Sequence, residues 1–251
     1  MQPLVLNILG TQIELQGILN ALAVVLGFFW VYRCWPLSHE GKIRLSLFCL
    51  LGCYMGMKIL YWVLYPHVFT AFLNHGIFEL IVQGGYTWYG AQLGGMLTLV
   101  LYAYFQNVPL KGLADATVLP VCLMMAIVRI GCFVGGCCYG NASTLPWAVS
   151  YSFSHPMHGM LLHPVQLYEA LLWLLMLAVL WFFKKKHSMF DGFLALLYLT
   201  LYGAGRFMLE YVRSDSTTFH AYAGLTINQW LSLGFVMFTL VYFRRLHVKA
   251  A

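Results

Sequence analysis

The chain has 251 residues, of which 61% are hydrophobic and only 9% charged. A soluble domain carries roughly 25% charged residues, because its surface must meet water; this composition excludes such a domain and fits an integral membrane protein. The net charge of +6 comes from basic residues gathered at helix ends, not from a basic face with interleaved aromatics, which excludes nucleic acid as a partner.

A helix needs about 20 mostly apolar residues to cross the hydrocarbon core. Residues 1–15 alternate apolar and polar side chains weakly and are expected as a re-entrant or surface segment. They lack the basic n-region of a cleaved signal peptide, so the first apolar run is expected to be retained as a helix. Spans are expected at 16–35 and 44–65, which end at Trp35-Pro36 and Tyr65-Pro66, as interfacial aromatics and helix stops do. Further spans are expected at 88–106, 115–135, 164–183, 190–212 and 225–243. The fold class is therefore all-α, a polytopic membrane protein of about seven transmembrane helices, and residues 1–251 form a single domain.

Orientation follows from Lys and Arg. Arg33, Lys42 and Arg44, then Lys111, then Lys184, Lys185 and Lys186, and finally Arg244, Arg245 and Lys249 all fall on one side if the spans alternate. The intervening segments 66–87 and 136–163 contain no Lys or Arg. The N-terminus is thus expected outside and the C-terminus in the cytoplasm.

Four basic residues break this pattern: Lys58, Arg129, Arg206 and Arg213. An ionisable group in hydrocarbon costs at least about 2.5 kcal/mol, so each must face the bundle interior or the outer surface. They mark a polar site opening towards the outer leaflet.

Taken in chain order, the stretch 84–95 (GGYTWYGAQLGG) leads into the third span. Gly90 and Gly94 make a small-xxx-small helix contact; Tyr89 and Gln92 point polar groups into a cavity or belong to an interfacial belt. The fourth span ends in 129–140 (RIGCFVGGCCYG), whose four glycines break a regular helix. Arg129 stands just before the break, where a guanidinium can take a phosphate bidentately; the bland alternative is helix packing with Arg129 reaching outward. Span five opens with 163–169 (HPVQLYE). There Pro164, Gln166 and Glu169 suit a helix start, and His163 is read either as part of that cap or as a general base or phosphate contact. In 205–213 (GRFMLEYVR), Arg206 and Glu210 are four apart on one helical face, either orienting a guanidinium for a ligand or forming a structural ion pair.

The seven cysteines are odd in number and mostly lie in apolar runs, which argues against a disulfide framework. Cys137 and Cys138 are adjacent, a spacing that does not suggest a metal, and no cofactor is implied.

These motifs, with the 113–115 (LAD) and 224–233 (GLTINQWLSL) stretches, make the chain resemble the bacterial prolipoprotein diacylglyceryl transferases nearly end to end. The resemblance implies a seven-helix enzyme of the bacterial inner membrane. Such enzymes move a diacylglyceryl group from phosphatidylglycerol to the thiol of a lipobox cysteine in a prolipoprotein signal peptide, releasing glycerol phosphate. It implies lipid-phosphate binding by Arg129 and Arg206, with Glu210 as partner and Gly140, Gln166 and Glu169 in the same site.

Four positions depart from the family's pattern. Tyr89 stands where a histidine is usual, Cys132 and Cys137 where asparagine and glutamate are usual, and Gln16 where a tyrosine is usual. Two enzyme readings follow. In one, Tyr89 or a cysteine assists deprotonation of the acceptor thiol, with His163 in support. In the other, Cys137 or Cys138 is itself a nucleophile serving a different acceptor. A non-catalytic, lipid-binding or thiol-sensing membrane protein is the alternative of another class.

Overall fold

The computed structural model describes residues 5–8, 11–66, 85–151, 157–186, 190–213 and 220–250. Their helices are α1 (Leu15–Cys34), α2 (His39–Leu64), α3 (Trp88–Gln106), α4 (Leu110–Gly135), α5 (Val165–Lys185), α6 (Phe193–Leu209) and α7 (Ile227–Ala250). Each expected span is met by one of them, with ends displaced by a few residues. A 3-10 turn, Glu210–Val212, prolongs α6. Among the described residues five helices are long and apolar enough to cross a membrane: α1, α2, α4, α5 and the stretch Phe193–Val212. The protein is therefore an all-α, polytopic membrane protein. The other two are more polar in sequence, α3 through Gln92 and its glycines, α7 through Asn228, Gln229 and the basic pair Arg244 and Arg245.

Among the described residues three small antiparallel strand pairs flank the helices. Strands β1 (Val5–Ile8) and β2 (Thr11–Glu14) pair Val5 with Glu14 and Ile8 with Thr11 ahead of α1. This gives the expected surface segment a defined form, since weak alternation is the period of a strand. Strands β3 (Val149–Ser150) and β4 (Leu161–Leu162) pair between α4 and α5, and β5 (His220–Tyr222) and β6 (Leu225–Thr226) pair before α7.

The chain divides into two compact units, one of residues 34–114 and one of residues 1–33 with 115–251. In the first, α2 and α3 cross at paired small-xxx-small stretches: a Cβ on Gly56 would collide with the Gly90 carbonyl, and one on Gly94 with the Gly52 carbonyl. Backbones approach this closely only when both faces lack side chains. Lys58 is buried in the same unit, with its ammonium 4.1 Å from the centre of the Tyr86 ring, a cation–π contact that lowers the cost of the charge. Tyr89, in the first turn of α3, is buried.

In the second unit, α5 and α6 meet through Trp173 stacked on Tyr202 at 5.1 Å. Gly203 lets α6 lie against α7, where a Cβ would come within 2.8 Å of the Ser232 carbonyl oxygen. Asp115 of α4 accepts hydrogen bonds from the Gly192 and Ala195 amides at the start of α6. A carboxylate there satisfies two of the amides that a helix start leaves without partners.

Candidate functional site

The second unit gathers three of the motifs at one glycine. Helix α4 ends in a Schellman cap: Gly136, at φ 73°, donates to the Phe133 carbonyl, and Cys137 donates to the Cys132 carbonyl. Glycine suits the left-handed position this cap needs. Cys138 follows at φ 60°, a second left-handed turn that leads the chain back to Gly140. The Gly140 amide donates to His163, the Asn141 amide donates to Val212, and the His163 amide donates to Asn141, each at 2.9 Å. A Cβ on Gly140 would lie 2.5 Å from the Val212 carbonyl and 2.7 Å from the His163 Cβ. Only a residue without a side chain can hold the ends of α4 and α6 and the start of α5 together here.

Behind this junction lies a cluster of buried charge. Glu169, one turn into α5, is its centre, with its side chain only 4% exposed. It pairs with Arg129 of α4 at 2.5 Å, with Arg213 at 2.8 Å and with Arg206 of α6 at 3.7 Å. Arg206 also meets Glu210 at 2.7 Å, which realises the four-residue spacing seen in the sequence. Glu210 is held from its other side by Thr226 and Asn228, which donate at 3.1 and 2.9 Å. The start of α7 is fixed in turn: Thr226 accepts from the Gln229 amide, and the Gln229 side chain accepts from the Thr226 amide. This reciprocal arrangement is a capping box. Three guanidiniums and two carboxylates leave the cluster one positive charge in excess.

Gln166 is fully buried and donates to the Cys137 carbonyl at 2.6 Å and to the Tyr151 hydroxyl at 2.9 Å. It therefore ties the cysteine turn to α5. The Tyr151 phenol is pushed up by burial and so stays protonated. The Gln16 side chain of α1 donates to the Cys137 sulfur at 3.3 Å. The thiols of Cys132, Cys137 and Cys138 lie within 4.8 Å of one another. Hydrogen bonds from the Cys132 and Cys137 thiols, helped by the Arg129 and Arg213 guanidiniums, hold the Cys138 thiol below its ordinary range.

Of the residues singled out from sequence, Arg129, Arg206, Glu210 and Glu169 come together in the ion cluster, while Gly140, Gln166, Cys137 and Cys138 form the turn beside it. His163 joins that turn through its backbone. Its ring instead faces Tyr168, with Nδ1 3.3 Å from a hydroxyl that also accepts from Trp147 at 2.7 Å. Tyr89 belongs to the other unit. Glu169 is far more central than a helix-start carboxylate suggested. Arg213, singled out only as one of the four basic residues that break the topological pattern, is a full member. Thr226, Asn228 and Tyr151 were not picked out, although the 224–233 stretch that contains the first two carried part of the family resemblance.

The chain is similar to proteins of one family over nearly its whole length. The family described as prolipoprotein diacylglyceryl transferase matches residues 3–245. A phosphatidylglycerol–prolipoprotein diacylglyceryl transferase of Methylobacillus flagellatus is 32% identical over 225 residues, covering 84% of each chain. Proteins of the same name from Idiomarina loihiensis and Clostridium tetani are each 28% identical, the former across 95% of this chain and 91% of its own, the latter across 86% of both.

Proposed function

Because the chain belongs to the prolipoprotein diacylglyceryl transferase family, and so is a membrane-embedded transferase, we propose that it moves the diacylglyceryl group of phosphatidylglycerol to the cysteine thiol of a prolipoprotein. The observation that carries this reading is the charge of the cluster. Three arginines gather around the two carboxylates of Glu169 and Glu210, and the single negative charge of a lipid phosphodiester would bring these acids and bases into balance. A guanidinium matches a phosphate in shape and in hydrogen-bond geometry.

In the proposed step the acceptor sulfur attacks the glycerol carbon that bears the phosphate. A C–S bond forms as the C–O bond breaks, and its electron pair leaves on the phosphate oxygen of glycerol phosphate. Negative charge grows on that phosphate, so guanidiniums fixed beforehand by Glu169 and Glu210 favour the transition state over the ground state. The acceptor proton goes to one of the groups singled out from sequence in the same unit as the cluster: Cys137, Cys138 or His163.

Direct transfer is favoured over a cysteine nucleophile on the enzyme. A thioether formed on Cys137 or Cys138 has no activated leaving group for a second thiol to displace. The proposed setting is the inner membrane, with seven spans, the N-terminus outside and the C-terminus cytoplasmic; the distribution of Lys and Arg supports it.

The test is to incubate the purified protein with phosphatidylglycerol labelled in its acyl chains and a lipobox peptide. Label should move to the peptide, and Arg129→Ala or Arg206→Ala should slow that transfer by about 10²–10³-fold. Label retained on the protein and lost in Cys137→Ser or Cys138→Ser would support the covalent route instead. Lipid binding without transfer, where a relative transfers, would leave a lipid-binding protein.

A further inference from the structure

The transferase reading leaves Cys132, Cys137 and Cys138 without a shared task, and their arrangement is the least ordinary feature near the cluster. Adjacent residues seldom aim two side chains at one point. Here the Schellman cap brings residue 137 back over residue 132, since the cap sets the residue after the left-handed glycine against the one five positions earlier. The left-handed backbone at Cys138 then turns its side chain to the same place. All seven cysteines are free thiols, and these three have sulfurs within 4.8 Å of one another.

We propose that Cys132, Cys137 and Cys138 form a three-thiolate site for a thiophilic d10 metal ion, Cu(I) being the cation that fits it best. Three sulfurs around one ion at a metal–sulfur distance near 2.3 Å stand about 4 Å apart. The sulfurs need to close by less than about 1 Å to reach that spacing, a movement within reach of side-chain rotation. Among the described residues no fourth Cys, His, Asp or Glu joins the group. Zn(II) in closed sites takes four ligands, whereas soft thiolates select Cu(I), which is satisfied by three.

The surroundings suit an anionic metal–thiolate centre. Arg129 precedes Cys132 by three residues on the same helix and so shares its face. The neighbouring cluster carries one surplus positive charge, which offsets half of the two net negative charges that three thiolates around a monovalent ion leave. The Gln16 amide already donates to the Cys137 sulfur at 3.3 Å, the kind of outer contact that orients a metal ligand. Cys138 is exposed and gives an ion its way in, while Cys132 is buried. A bound ion would fasten the turn that carries Gly140 to the helix that carries Arg129.

The experiment uses the full chain, reduced and purified in detergent, titrated without oxygen with Cu(I) against a chromophoric Cu(I) chelator. One equivalent should be withdrawn from the chelator. Cys132→Ser, Cys137→Ser and Cys138→Ser should each weaken binding by at least about 100-fold, while Cys49→Ser should bind as the unaltered protein does. Alkylation mapped by mass spectrometry in the unaltered protein keeps the test independent of folding. Cu(I) should protect residues 132, 137 and 138 and leave the reactivity of Cys34 unchanged. The proposal is overturned if the chelator keeps the metal, if the three thiols alkylate equally with and without Cu(I), or if Zn(II) occupies the same thiols more tightly.

Discussion

Glu169 shows how much one side chain decides. It is the carboxylate that all three arginines share, in a setting where an uncompensated buried charge is strongly destabilising. Glu169→Gln should therefore cost about 3–5 kcal/mol of stability, read as a lowered unfolding midpoint in detergent, besides abolishing transfer. Gly140→Ala is expected to act differently. Its methyl group meets the Val212 carbonyl and the Val165 and His163 side chains, and overpacking of this kind costs about 1–3 kcal/mol. The loss should appear as slower transfer together with a lowered midpoint. The sequence made Arg129, Arg206 and Glu210 legible, because charge inside an apolar run is costly enough to need a reason. It did not disclose that Glu169 binds three partners. A carboxylate in the first turn of a helix is ordinary by itself, and only the folded chain brings Arg129, Arg206 and Arg213 to it from positions 37 to 44 residues away.

At the scale of elements, the ends of helices do more for the site than their middles. The capping box at the start of α7 uses Thr226 twice, once for the Gln229 amide and once for Glu210. Thr226→Ala should lose about 1 kcal/mol from the cap and a further share from Glu210. Thr226→Ser keeps both hydrogen bonds and should restore most of the stability and of the transfer rate. The helix break after Arg129 was evident from its glycines. The convergence of three cysteines there was not, since it depends on the left-handed backbone of Cys138, a conformation that residue types other than glycine adopt seldom. The small-residue contact of Gly90 and Gly94 was likewise readable, whereas its partners Gly52 and Gly56 emerge only once α2 and α3 are paired.

For the whole molecule, apolar run lengths gave the helices nearly in full, because hydrocarbon thickness fixes how long a spanning helix must be. Which ends face the cytoplasm rests on the basic residues alone. Protease added to inverted vesicles should cut at Lys184–Lys186, between α5 and α6, and the same protease added to spheroplasts should leave that stretch intact; the reverse pattern would invert the proposed orientation. The hairpin before α1 escaped the sequence because four-residue strands carry too little alternation to stand out.

The way Glu210 is held bears on the order in which the protein is made. Its carboxylate is shared between Arg206, four residues before it, and Thr226 and Asn228 at the head of α7, which is made after α6. Until α7 is made, Glu210 has only part of its native hydrogen bonding. A nascent chain halted before position 220 should thus remain loosely packed and open to proteolysis, and the addition of α7 should tighten the surroundings of Glu210 in one step. The cluster of charge around Glu169 and Glu210 would then reach its final form only after α7 has been made.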